Sequence, residues 1–218
     1  RELERAAGAY DQFLLSAIRA VGLSEKTNDR RALADDIRSL CEAYERTGAF
    51  DKAVELRQEA LLILKSTGDS AAIGKGIVDL MNTLVLAGRF NEVLRHGDEA
   101  LDYYGSHKDS VGMANVWVSQ GEAFLAQGHA ADALPSLARA ERVFRDLRMD
   151  TQLGRTLRDI AEANLTLGRW ADARTRLEEA RFIATEHNTL NSDPALFGLL
   201  SRMHEGLGET TEALACLR

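Results

Sequence analysis

The chain has 218 residues, 45% of them hydrophobic, and 27 basic against 34 acidic side chains give a net charge of −7. That balance argues against holding a nucleic-acid backbone, an affinity carried by Lys and Arg, and favours solubility and basic partners. Two cysteines far apart, Cys41 and Cys216, indicate neither a disulfide framework nor a metal site. With no run of about eighteen apolar residues and no charged-then-apolar leader, no membrane association is expected and the default compartment is the cytoplasm.

Glycine recurs at a step of forty residues, as Gly8, Gly48, Gly88, Gly128, Gly168 and Gly208. A fixed period of this length marks a repeat architecture. Five residues after each glycine stands Phe13, Ala53, Val93, Ala133, Ala173 or Ala213, and twelve after it Ala20, Ala60, Ala100, Ala140 or Ala180. Seven before it stands Cys41, Met81, Gly121, Ala161 or Ser201, and eight before it mostly a bulky aliphatic. The spacing predicts a helical hairpin per unit, helix A then helix B. Glycine sits just past A, where a positive φ is needed. Small residues let the helix backbones approach, and an aromatic early in B (Tyr10, Phe50, Phe90, Trp170) fills the wedge between hairpins. One hairpin cannot bury its apolar face alone, so units stack.

In chain order, residues 1–7 read as the tail of a helix A, with helix B over about Asp11–Ser24 and a link at Thr27-Asn28-Asp29. The chain thus begins inside a hairpin and reads as a piece of a longer protein. The first full unit, about 30–69, places Leu33, Ile37, Leu40 and Tyr44 on one face of A, with Asp51 as a candidate cap for B. The second, 70–109, carries Gly97 inside helix B, at a cost of roughly 1 kcal/mol against alanine, which marks a close backbone approach; Lys108-Asp109-Ser110 repeats the turn of Gly68-Asp69-Ser70. The third, 110–149, has Pro135 in the first turns of B, where a missing N–H is cheap and a slight bend without a break is expected. The fourth, 150–189, puts Asn164 at an expected apolar place on A, which reads as a wetter spot or, less simply, an inter-helix hydrogen bonder. A partial unit, 190–218, opens on Ser192-Asp193-Pro194, a helix start. It ends without a polar capping helix, so the natural protein is expected to continue.

Trp117, Gly121 and Phe124, then Gly128, Ala133, Leu137 and Ala140, resemble a tetratricopeptide repeat (TPR). Gln120 stands in place of the usual leucine, the closing proline is absent from every unit, and the step is the longer one seen in kinesin light chains, Leu-Gly-Asn-type polarity scaffolds and bacterial NB-ARC/TPR regulators. The resemblance covers nearly the whole chain. It implies an all-α fold, a right-handed α-solenoid of antiparallel helix hairpins in a single array, with the A helices lining a concave groove. The positions that face the groove in that family fall here on Arg38, Glu42, Lys75, Val78, Asn82, Val85, Val118, Glu122, Leu125, Arg155, Arg158, Glu162, Leu165 and Arg202. Apolar residues at the centre of this set, Val85, Leu125 and Leu165, lie between charged ends, which suits an amphipathic helix or an extended segment. The same residues also suit plain packing between neighbouring helices. A carboxylate clamp is disfavoured, since Val78 and Val118 stand where basic partners belong.

The expected function is protein–protein interaction through this groove, within a larger regulatory protein. The alternative is an effector-sensing or autoinhibitory tail of a bacterial signalling ATPase or transcription regulator. Self-association through the ends is a further option. Five histidines do not pair at i, i+4, and no HExxH, phosphate-cradling loop or nucleophile elbow occurs. The sequence therefore gives no ground for an enzyme, a cofactor or a metal.

Overall fold

The computed structural model describes residues 2–27, 29–187 and 193–216, with side chains from residue 12 onward. Every regular element among them is a helix: α1 (Glu2–Ser24), α2 (Arg30–Arg46), α3 (Phe50–Thr67), α4 (Ser70–Leu86), α5 (Phe90–Ser106), α6 (Ser110–Ala126), α7 (Ala130–Asp146), α8 (Asp150–Thr166), α9 (Trp170–Glu186), α10 (Pro194–Gly206) and α11 (Thr210–Cys216). The even-numbered helices are the A helices of the repeat and the odd-numbered ones from α3 onward the B helices. The chain divides into two compact units, Arg1–Tyr104 and Gly105–Arg218, the boundary falling in the last turn of α5.

Each A helix ends on the recurring glycine. Gly48, Gly88, Gly128, Gly168 and Gly208 all have φ between 68° and 79°. The residue after each donates its N–H back five residues, as His129 does to the Phe124 carbonyl at 2.8 Å, the bond that closes a Schellman motif. The starts differ. α2, α4, α6 and α10 are capped by the carboxylates of Asp29, Asp69, Asp109 and Asp193. α3, α7 and α9 follow Ala49, His129 and Arg169 with no side-chain cap. Asp51 is therefore not a cap: the Schellman turn leads straight into helix B, and Asp51 sits within its first turn, where a negative charge meets the helix dipole favourably.

The small repeat positions are the contact points. Ala53, Val93, Ala133 and Ala173 have no exposed surface, and Cys41, Met81 and Ala161 match them across the hairpin. At Gly121 an added Cβ would lie 2.5 Å from Leu137 Cδ2, so glycine is what lets α6 and α7 close. The repeat register puts Met81 opposite Gly97 and Gly121 opposite Leu137, a size exchange that accounts for the buried Gly97. In the first unit, Ile37, Cys41, Ala53 and Ala60 form one core with Leu33 and Tyr44 against it. In the second, a larger core runs from Ala114 and Val118 through Phe144, Leu157 and Leu177 to Leu200 and Met203.

Two further expectations are corrected. α1 is one unbroken helix through Gly8: a glycine inside a helix costs about 1 kcal/mol, less than surrendering the hydrogen bonds of a turn. Asn164 is neither wet nor bonded to another helix. It is buried and donates from Nδ2 to the Ile160 carbonyl of its own helix at 3.0 Å. Ser192 and Asn28, read as parts of turns, lie outside the described residues. Pro135 is accommodated inside a continuous α7; the carbonyl it leaves unbonded belongs to Ala131, which is exposed to water.

Candidate functional site

In the first unit the A helices α2 and α4 turn Glu42, Lys75 and Asn82 out to solvent, while Arg38, Val78 and Val85 are half-buried. Arg38 donates to Asp35 at 2.8 Å, one turn away on the same helix. Behind this row lies Arg57 of α3, only 7% exposed. Its guanidinium donates to Glu45 at 3.2 Å, Thr83 at 3.2 Å and Asp79 at 3.4 Å, and the Thr83 hydroxyl donates to Glu45 at 2.6 Å. Burial pushes the Asp79 carboxyl above its ordinary pKa, against the pull of Arg57, Lys75 and Arg38. A cavity of about 390 Å³ opens beside this network between α2, α3 and α4, with Arg31, Ala34, Arg38, Ala60, Leu64 and Lys75 in its walls.

In the second unit α6 and α8 present Arg155 exposed and Glu122, Arg158 and Glu162 half-buried, and α10 presents Arg202 exposed. Arg155 donates to Glu122 at 2.5 Å and Arg158 to Asp193 at 2.6 Å. Asp159 lies among these charges with Oδ2 enclosed and no donor to it among the described residues. Its pKa is raised to about 8, first by burial and then by the charge of Glu122, with Arg155 and Arg158 opposing and Glu162 adding. A second cavity, about 440 Å³, is walled by Arg155, Arg158, Ala180, Ala184, His187 and Asp193.

The apolar centre expected from the sequence is consumed in part by packing, while Val78 and Val85 stay half-buried. Val118 is 8% and Leu165 3% exposed, both inside the core of the second unit. Leu125 is half-buried against Ala133, Leu137 and Ile160. Small residues such as Gly121 and Ala161 bring the helices so close that the neighbouring apolar side chains are enclosed. Val118 and Leu165 are thus core residues, closed to a ligand. The charged residues of the set keep an exposed or half-buried place, and one pair among them, Arg155 with Glu122, is brought together.

Arg57 was missed because it lies on a B helix. The repeat carried a signal for it: the equivalent places are Gly97, Leu137 and Leu177, all buried, so an arginine in that register had to be buried too. Cys41 is fully buried, and burial pushes its thiol up to about 12, as befits an inert core thiol. Among the described residues no helix is long and apolar enough to cross a membrane, and no group of three His, Cys, Asp or Glu side chains is placed to hold a metal ion.

Neither a protein-family profile nor a curated protein sequence matches the chain. Solved structures do. BtubC (BKLC) from P. vanneervenii superposes with a TM-score of 0.79 at 18% identity, over 96% of this chain and 88% of that one. A putative kinesin light chain with nearly identical TPR-like repeats, from Podosopora anserina, gives 0.63 at 19% identity over 85% and 93%. A Rap protein, solved in complex with competence and sporulation factor, gives 0.75 at 15% identity; the match takes in 99% of this chain but 60% of that one. Forty-residue helical hairpins, glycine-terminated A helices and these superpositions together make the chain, in its fold, a TPR-like α-solenoid.

Proposed function

We propose that the chain is a protein-interaction module whose A helices hold a peptide or helical segment of a partner. The observation that supports this best is the contrast along α2, α4 and α8. The small positions of each helix are sealed in the core, while Glu42, Lys75, Asn82 and Arg155 stand exposed on the remaining face. Polar side chains presented in rows on rigid helices give directional contacts at little ordering cost. The Rap neighbour solved with its factor is consistent with this use of the fold. On the same reading the repeats form one array across both units, and the array serves a larger regulatory protein in the cytoplasm, with neither nucleic acid nor membrane as its target and no catalysis of its own.

The test is selection of binding peptides from a random library, followed by hydrogen-exchange footprinting. Selected peptides should protect the A helices α2, α4, α6 or α8, and those that protect α2 or α4 should lose at least about tenfold in affinity to Glu42→Lys combined with Lys75→Glu. Both residues are exposed, so the variant should melt like the parent. A library that yields no binder, or binders that protect only B helices, would sink the reading.

A further inference from the structure

The two cavities stand at the same place in the repeat. Arg31, Ala34, Arg38, Ala60 and Leu64 around the first correspond, three repeats on, to Thr151, Gly154, Arg158, Ala180 and Ala184 around the second. The equivalent places in the intervening repeats are closed. In the second repeat Tyr104, 3% exposed, lies against Gly74 and donates its hydroxyl to the Gly74 carbonyl. A Cβ on Gly74 would meet the Tyr104 ring at 3.0 Å. In the third, Phe144 is 1% exposed and packs in one core with Ala114, Val118 and Leu157.

The plug and the groove residue change together. Where the B helix carries Tyr104 or Phe144, the A helix carries Val78 or Val118. Where it carries Leu64 or Ala184, the A helix carries Arg38 or Arg158. Two repeats are sealed and apolar; two are open and guanidinium-lined. Mere packing does not require an arginine beside an unfilled space, since valine with an aromatic closes the same gap elsewhere in this chain.

The charge in the open cavities runs against that of the molecule. On a chain of net charge −7, the first is lined by Arg31, Arg38, Arg57 and Lys75 against Asp35 and Asp79. The second is lined by Arg155, Arg158 and His187 against Asp193, and these three pair with Glu122, Asp193 and Asp150 respectively. Arg57 is committed to its buried carboxylates. Among the described residues Arg38 pairs with the exposed Asp35 and also pulls on Asp79, and Arg31 pairs with Asp69. Such surface pairs contribute about 0–1 kcal/mol, so a ligand anion can replace them. Lys75 is exposed and acts on the Asp79 carboxyl through its charge. Volumes near 400 Å³ fall within the usual range for small-ligand pockets, roughly 300–1,000 Å³.

We propose that these two open cavities are receptor sites for anionic groups, carboxylate or phosphate, gripped by Arg38 with Lys75 in one and by Arg158 with Arg155 in the other. The inference rests on the reading of the A-helix face as the binding surface and adds the chemistry that the surface selects. The anion comes either from a free dianion or from the acidic side chains of a bound segment, and the probes separate these sources.

Titration calorimetry of the whole chain with succinate, pyrophosphate and a hexaglutamate peptide, at ~0.1–10 mM, tests it. The variants transplant the sealed repeats: Arg38→Val with Leu64→Phe, because Ala34 matches the Ala114 that faces Phe144, and Arg158→Val with Ala184→Tyr, because Gly154 matches the Gly74 that faces Tyr104. At least one probe should bind the parent chain and weaken about tenfold or more in the variant whose cavity is closed. Binding of succinate or pyrophosphate identifies a free anion; binding of hexaglutamate alone identifies acidic side chains. Arg38→Gln and Arg158→Gln, which leave the packing alone, should show the same loss, so a plug that misfolds does not decide the matter. No binding by the folded parent, undiminished binding in the glutamine variants, or tighter binding of hexalysine overturns the proposal. Library peptides that footprint on the A helices without competition from these anions would leave the interaction-module reading standing while this one falls.

Discussion

Gly121 shows how much a single missing side chain decides. Its absent Cβ is the space into which Leu137 packs at full burial. Gly121→Ala gains helix propensity of about 1 kcal/mol but forces a clash with a side chain that has nowhere to retreat, an overpacking cost of roughly 1–3 kcal/mol. The expected result is a lower melting temperature in the parent background and little or no further loss when the change is made in a Leu137→Ala background, a coupling that a double-mutant cycle measures. Asp159 carries the pH prediction. Its folded pKa, about 8, lies above that of an unfolded aspartate, ordinarily 3.8. Between these values the folded chain holds more protons than the unfolded one, so stability falls as pH rises through that window. Asp159→Asn should flatten the decline of melting temperature between pH 5 and pH 8, a window that follows from those two values. It should leave a shallower slope from Asp79, whose carboxyl is shifted the same way. An unchanged slope would show that Asp159 titrates as an ordinary surface carboxylate.

The helices differ in how they stop. All A helices described with a following turn use glycine at positive φ, but among the B helices whose following turn is described only α3 does, at Gly68; Lys108 and Arg148 take the same left-handed turn with φ of 55° and 53°. A side chain in that region is strained, so Arg148→Gly should raise the unfolding free energy by roughly 0.5–1 kcal/mol, net of the added freedom of the unfolded chain; chemical denaturation measures it. The starts make the complementary case. Asp109 accepts the Gly112 N–H at 2.8 Å, and Asp109→Ala should cost about 1 kcal/mol. The glycine terminators, the repeated turns at Asp69 and Asp109 and the helix start at Asp193 were legible in the sequence, because each acts within one turn of chain. The uncapped B helices were not: whether Asp51 caps depends on the turn before it, which the Schellman geometry had already used.

At the level of the molecule, the core of the second unit runs unbroken from α6 to α10, whereas the described core of the first is smaller. Repeat arrays draw stability from nearest-neighbour interfaces, so a fragment of residues 105–218 should fold alone, with helical circular dichroism and a cooperative melt. A non-cooperative melt of that fragment would contradict the division at Tyr104 and Gly105. The period of forty and the alternation of bulky and small residues determined, by themselves, the helical class, the hairpin order and most of the core, since these follow from local geometry repeated. Only the tertiary structure decided which apolar groove residues were consumed by packing, which three partners the buried Arg57 finds, and which repeats stay open. Those outcomes depend on the fit between residues tens of positions apart, such as Tyr104 with Gly74, where one side chain's volume settles whether a space is filled or left for something else.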